Sequence, residues 1–151
     1  MGYLPKHSRA IKIFAMEMSI RDILEKYRTI AVYGMSRNPD KAANKIPEYL
    51  SRKHYRIIPI NPNAESIGGR KSYSDLMQIP DKIDILEIFR PAVFAAGIVE
   101  EAIRRRSERD DIKVIWLQME RSEEARKLAE QAGFIFVHGK CMYHEHSELF
   151  K

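Results

Sequence analysis

Residues 29–45, TIAVYGMSRNPDKAANK, decide the fold. The stretch opens with a short apolar run that stops at Gly34, passes through a polar turn, and enters a helical pattern at about Lys41. Strand, glycine turn and helix form the first unit of a nucleotide-binding α/β domain. Gly34 can adopt a backbone conformation that side chains forbid. The helix behind it offers free N–H groups and a positive dipole end, which together suit a phosphate.

The turn is not a complete phosphate-binding motif. It holds one glycine where G-x-G-x-x-G needs three, and no G-K-[ST] follows. On these residues alone, phosphate binding and a structural strand-to-helix turn are equally compatible with the sequence. Ser36 can add a hydroxyl group, and Arg37, Lys41 and Lys45 can add positive charge.

Short apolar segments and helical patterns alternate along the rest of the chain. Strands are predicted at 29–33, 56–60, 83–89, 113–117 and 134–137, and helices at 20–26, 41–52, 91–106 and 122–132. This order predicts an α/β, Rossmann-like, doubly wound fold, with a mainly parallel five-stranded sheet and helices on both faces. Pro59 predicts that the second strand lies near an edge or ends early. Residues 139–151 are expected to form a polar tail.

The length of 151 residues predicts one domain, which we place at residues 18–151, with residues 1–17 as an N-terminal extension. No run of about 18 apolar residues and no clean signal peptide is found, so no membrane segment is predicted. Cys141 is the single cysteine, which favours a reducing, cytoplasmic location. The net charge of +5 permits an anionic ligand. The run Arg104-Arg105-Arg106 is followed by acids and predicts a solvated helix end, not a nucleic-acid surface.

Ligands on parallel sheets bind beyond the carboxyl ends of the strands. An NAD site places an acidic side chain at the end of the second strand, where this chain has Asn61-Pro62 and no acid before Glu65. Basic residues near the first turn and at Arg70-Lys71 fit a ligand with an additional phosphate. NADP and coenzyme A (CoA) both carry such a phosphate on the adenosine ribose.

Six separated stretches resemble a known family. They are VYGMSRNPDKAANKIPEYL, IIPINPN, IGGRKSYSDL, IDILEIFRP, VIWLQ and CMYHEH, in that order along the chain. Together they resemble the small stand-alone CoA-binding proteins, whose domain is similar to the CoA-binding domain of the succinyl-CoA synthetase alpha subunit. The resemblance spans residues 23–148. It implies a Rossmann-like domain that binds CoA beyond the strand ends.

The same resemblance implies a set of cofactor-binding residues, while the residues themselves leave alternatives open for several of them. The set comprises Gly34, Met35, Ser36, Arg37 and Lys41 at the pyrophosphate, Asn44 and Lys45 close by, Asn61 and Pro62 beside the adenosine, Phe89 and Arg90 along the pantetheine path, Trp116 and Gln118 further along, and Cys141 on the ligand side. Trp116 and Phe89 are equally compatible with the core, and Arg90 with a structural ion pair. Asn61 before Pro62 also favours a turn without any ligand.

Cys141 and the histidines of the tail admit further interpretations. Because CoA also ends in a thiol, a mixed disulfide or a thioester exchange at Cys141 is conceivable, although most lone cysteines are inert. His138, Cys141, His144 and His146 match no standard zinc spacing, so we predict no metal and expect Glu145 and His146 to anchor the tail.

The resemblance implies binding of CoA or acyl-CoA by a non-catalytic protein or a partner of an acyl-CoA enzyme. Related synthetases also need a phosphohistidine domain and a nucleotide-grasping subunit, and neither is recognisable here, so no catalytic residue is assigned and enzymatic activity is left open. The alternative is a small NADP-dependent oxidoreductase. A protein partner or a homo-oligomer is compatible with the sequence.

Overall fold

The computed structural model describes residues 18–151, so the predicted extension at residues 1–17 lies outside the described residues. The helices are α1 (Ile20–Lys26), α2 (Ala42–Arg52), α3 (Ala95–Glu108), α4 (Glu123–Gln131) and α5 (Met142–Leu149). The strands are β1 (Thr29–Tyr33), β2 (Arg56–Ile60), β3 (Ser66–Ile67), β4 (Arg70–Lys71), β5 (Ile85–Ile88), β6 (Val114–Gln118) and β7 (Ile135–Lys140). Short 3₁₀ turns occupy Leu76–Gln78 and Ala92–Phe94.

The five long strands form one parallel sheet in the order β2-β1-β5-β6-β7, and β3 and β4 form a separate antiparallel ribbon. The predicted Rossmann-like fold class is therefore confirmed. Pro59 lies within β2, which is an edge strand, as the proline indicated. From β1 the chain moves outward to β2 and then crosses to β5 on the other side of β1. This reversal creates a crevice between the carboxyl ends of β1 and β5.

Two apolar layers hold the helices against the sheet because alternate strand residues point to opposite faces. On one face, Ala31, Leu86 and Ile115 pack with residues of α3 and α4 such as Val99 and Ala129. On the other face, α1, α2 and α5 cover a layer that includes Ile30, Val32, Leu50, Trp116 and Met142. Helix α2, which carries Asn44 and Lys45, and helix α5, which begins after Cys141, thus cover the same face.

Two predictions about local structure were wrong. The expected polar tail contains α5, whose residues Met142 and His146 are buried. Arg105 does not lie at a solvated helix end, because its side chain is completely buried. It pairs with Asp111 (2.9 Å) and donates to the carbonyl oxygens of Leu76 and Ile79 (2.7 and 2.9 Å). The basic run is therefore partly a structural element of the domain.

Candidate functional site

The crevice between β1 and β5 brings Gly34 and Arg90 together. Gly34 has φ = +91°, a conformation that favours glycine, and a Cβ atom placed on it would lie 3.3 Å from Arg90 Cδ. The turn after β1 and the segment after β5 are therefore in close contact, and a glycine is required where they meet.

The turn after β1 is fixed to the first turn of α2. Ser36 N donates to the carbonyl oxygen of Ala43 (3.1 Å), and Asn44 Nδ2 donates to the Ser36 carbonyl (2.8 Å). The Ala43 carbonyl is available because Pro47, four residues on, lies inside the helix and has no N–H to donate. An interior proline that is unfavourable for the helix thus holds the turn in place.

The N-terminus of α2 has the features of an anion-binding site. Lys41 is its N-cap residue, no side chain caps the helix, and its first turn holds no acidic residue, so the dipole end is not neutralised. Ser36 Oγ accepts from Asn38 N (3.0 Å), which leaves the hydroxyl proton free to donate. In the described part of the chain, Arg37, Lys41 and Lys45 pair with no carboxylate.

The end of β2 lies beside this turn. Asn61 Nδ2 donates to the Met35 carbonyl (2.9 Å), and its Oδ1 accepts from Asn63 N (2.8 Å). The side chain of Met35 is buried, so only its backbone takes part in the turn. Pro62 is exposed at the rim. Asn61 therefore shapes the turn, whichever ligand is bound.

An open cleft of about 450 Å³ joins these two turns, and its lining residues are Ser36, Arg37, Asn38, Asn61 and Asn63. No carboxylate is among them, so the acidic group that would bind an NAD ribose is missing from the cleft. Arg70, one of the basic residues considered for an additional phosphate, already donates to Glu48 (2.5 Å) and Ser51 (2.7 Å). Lys71 lies over the Tyr73 ring and pairs with no carboxylate of residues 18–151, so unpaired positive charge lies at β4 as well as at the turn and the helix start.

A second groove, of about 660 Å³, runs between α2 and α5, and its lining includes Asn44, Lys45, Tyr49, Arg52 and Tyr143. Two predicted site residues, Asn44 and Lys45, thus lie on the side of α2 that faces α5, whereas Arg37 lines the first cleft. The structure divides the predicted residues between two faces of the same helix start.

The segment after β5 carries an exposed aromatic residue that sequence reasoning missed. Phe89 is half-buried against the core, whereas the guanidinium of Arg90 lies 4.5 Å from the centre of the Phe94 ring. Phe94 is 47% exposed and lies in a 3₁₀ turn where a regular helix was expected. The apolar periodicity of the sequence therefore did not indicate that its ring is exposed. Ala92 N donates to Glu120 Oε1 (2.9 Å) and joins this segment to the loop after β6.

Trp116 and Gln118 differ in their access to a ligand. Trp116 is completely buried, and its Nε1 donates to the Lys140 carbonyl (3.0 Å), so it lies in the core and outside the crevice surface. Gln118 lies at the end of β6, where its Oε1 accepts from Met142 N at the start of α5 (3.1 Å). Its Nε2 is buried and has no hydrogen-bond partner within residues 18–151.

Cys141 is the N-cap residue of α5, half-buried and without a side-chain cap bond. The helix is anchored by His146, which is 7% exposed and whose Nδ1 lies 2.9 Å from Tyr49 Oη. Burial and the neighbouring positive charges of Lys53 and Arg28 lower the pKa of His146, so the neutral ring is favoured. Among the described residues, no group of three or more His, Cys, Asp or Glu is placed to hold a metal ion.

Glu87 is a buried acid that the sequence interpretation passed over. It lies in the middle of β5, between Val32 of β1 and Trp116 of β6, and neither of its oxygen atoms has a partner in the described residues. Burial raises the pKa of Glu87 to about 8. The carboxyl group is therefore neutral at pH 7, which is consistent with its place in an apolar layer.

Several known proteins are similar in sequence to this chain. The family model described as CoA binding domain matches residues 28–147. An uncharacterized protein, YneT of Bacillus subtilis, is 30% identical over 129 residues, covering 85% of this chain and 92% of YneT. An ADP-forming acetate–CoA ligase of Methanocaldococcus jannaschii is 31% identical over 85 residues, which cover 54% of this chain and 12% of the ligase.

Solved structures of similar sequence share the fold of this chain. A hypothetical protein from Pyrococcus horikoshii has a TM-score of 0.81 and 33% identity, with all of both chains covered. A Thermus thermophilus protein has a TM-score of 0.80 and 31% identity, covering 88% of this chain and all of the other. Within residues 18–151, no helix is long and apolar enough to cross a membrane. The family match covers most of the chain, and the chain therefore belongs to the CoA-binding domain family.

Proposed function

We propose that this chain binds CoA or an acyl-CoA beyond the carboxyl ends of its strands. The phosphates contact Ser36, Arg37 and the uncapped start of α2 at Lys41, and the adenosine lies in the cleft toward Asn61. One observation carries the proposal: a cleft lined without a carboxylate contains Arg37 and adjoins the uncapped start of α2, where Lys41 N donates to the carbonyl oxygen of the cleft residue Asn38 (3.1 Å).

The chemistry of the lining supports a binding role without catalysis. The cleft presents a serine, an arginine and three asparagines, which bind and orient a ligand but do not form an acid–base pair. We propose that the chain acts as a binding protein or as a partner of an acyl-CoA enzyme. The similarity to a region of acetate–CoA ligases supports this role. A cytoplasmic location and a homo-oligomer or protein partner stay predictions.

Isothermal titration calorimetry with CoA, 3′-dephospho-CoA and NADP tests the ligand. We expect CoA to bind most tightly. Lys41→Ala and Arg37→Ala should each weaken CoA binding by about 10-fold, because each removes a charge-assisted phosphate contact worth about 1.5 kcal/mol. Lys82→Ala is the matched control, since this exposed lysine precedes β5 and so lies at the amino ends of the strands, away from the proposed site. Equal losses in all three variants, or tighter binding of NADP, would refute the site.

A further inference from the structure

One buried hydrogen-bond donor at the end of β6, beside the start of α5, has no partner in the described residues. Since only the oxygen of a side-chain amide accepts a hydrogen bond, the bond from Met142 N to Gln118 Oε1 (3.1 Å) fixes the orientation of the Gln118 amide. Its Nε2 is then a donor without an acceptor in the described residues, on a side chain only 8% exposed. A buried amide left in this state costs about 1–3 kcal/mol, so a ligand acceptor at this point would be stabilising.

A thiol lies one residue from the helix N–H that Gln118 binds. Cys141 caps the start of α5 through its backbone only, its side chain makes no cap bond, and it is half-buried. A ligand whose carbonyl group accepts a hydrogen bond from Gln118 would therefore have the next part of its chain close to Cys141.

The spacing of the strands is compatible with the length of the pantetheine arm of CoA. Adjacent strands are about 4.8 Å apart, so β6 lies about 10 Å from β1, with β5 between them. The pantetheine arm contains two amides and is about as long as four extended residues, about 14 Å. An arm that begins at a phosphate on the turn after β1 is therefore long enough to bring its last amide to Gln118 and its sulfur to the start of α5.

We propose that Gln118 Nε2 donates to the last amide carbonyl of a bound disulfide of CoA and places its sulfur–sulfur bond at Cys141, whose thiol exchanges with it. The proposal rests on the CoA site proposed above and assigns a reaction to its far end. Gln118 is a positioning residue, and Cys141 is the reacting group.

The exchange needs a disulfide of CoA as the second reactant. The Cys141 thiol gives its proton to solvent, and the thiolate attacks one sulfur of the bound disulfide. The bond between Cys141 and that sulfur forms as the disulfide of the reagent breaks. The second CoA leaves as a thiolate and takes up a proton, so the disulfide count is unchanged and no other oxidant is needed.

Intact-protein mass spectrometry measures this reaction with two reagents, CoA disulfide and glutathione disulfide, each at about 10 µM. Binding gives the reagent an effective concentration in the millimolar range, so CoA disulfide should react about 100-fold faster than glutathione disulfide. The adduct should be one CoA per chain and should disappear with reductant. Cys141→Ser should form no adduct with either disulfide.

Gln118→Glu isolates the positioning step, because it keeps an oxygen for Met142 N and removes the N–H donors. We expect it to slow the reaction with CoA disulfide by about 10-fold and to leave the reaction with glutathione disulfide unchanged. Gln131→Glu, at an exposed position, is the control. If CoA binds but the wild-type chain reacts with both disulfides at rates within about 3-fold, disulfide exchange at Cys141 is refuted while the binding site stands. If CoA does not bind at all, both proposals are refuted.

Discussion

The buried acid Glu87 makes a quantitative prediction about stability and pH. In the unfolded chain its carboxyl group ionises near the ordinary pKa of 4.5, whereas burial in the fold raises its pKa to about 8. The folded state therefore holds a proton that the unfolded state releases, and stability should fall as pH rises between these two values. At about 1.4 kcal/mol per pH unit, the loss is about 3 kcal/mol at pH 7 and about 5 kcal/mol above pH 8.

Glu87→Gln tests this reasoning because it keeps the shape of the side chain and removes its ionisation. Urea denaturation of both proteins at pH 4, 5.5, 7 and 8.5 gives their free energies of unfolding. Between pH 4 and pH 7, we expect the free energy of unfolding of the variant to rise by about 3 kcal/mol relative to that of the wild type. Comparing pH values cancels any constant cost of the new amide group. Glu100→Gln, at an exposed position of α3, should follow the wild-type curve. Parallel curves for wild type and Glu87→Gln would show that the fold does not raise the pKa of this carboxyl group.

Three further predictions concern the turn after β1 and the anchor of α5. Gly34→Ala should lower the free energy of unfolding by about 2 kcal/mol in urea denaturation, because alanine is strained at φ = +91°; an unchanged value would contradict the proposed strain. Pro47→Ala should leave the fold intact by circular dichroism but weaken CoA binding roughly 3- to 10-fold in calorimetry, since a new N–H would compete with Ser36 N for its acceptor; unchanged affinity would show that this bond does not support the site. His146 has a pKa below its usual 6.5, so the stability it contributes is complete above pH 6.5 and is lost as pH falls below it. His146→Phe, which keeps a ring against Tyr49, should remove that acid-side loss from thermal melting curves, and an unchanged acid profile would assign the loss to other groups.

The order of strands and helices was predictable because it rests on local apolar periodicity and on turn residues such as Gly34 and Pro59. The ligand edge was predictable for the same reason, since a parallel sheet brings the segments after each strand to one side. The cleft that joins Ser36, Arg37 and Asn61 is the outcome of that topology.

Features that depend on tertiary packing could not be read from the sequence. The helix α5 has no clean apolar stripe, and contacts such as that between His146 and Tyr49 hold it. Arg105 is buried because Asp111 and backbone carbonyls surround it, and nothing in the local sequence indicates those partners. Glu87 lies in a strand whose other residues are apolar, so the sequence pattern did not indicate a separate role for its carboxyl group.

Native mass spectrometry of the full chain, with CoA, NADP and NAD present together at equal concentrations, tests the central claim most directly. We expect a single adduct of one CoA per chain, and its loss in the Lys41→Ala variant at ligand concentrations near the wild-type dissociation constant. A spectrum dominated by the NADP adduct, or one that shows no nucleotide adduct at any accessible concentration, would contradict the CoA site.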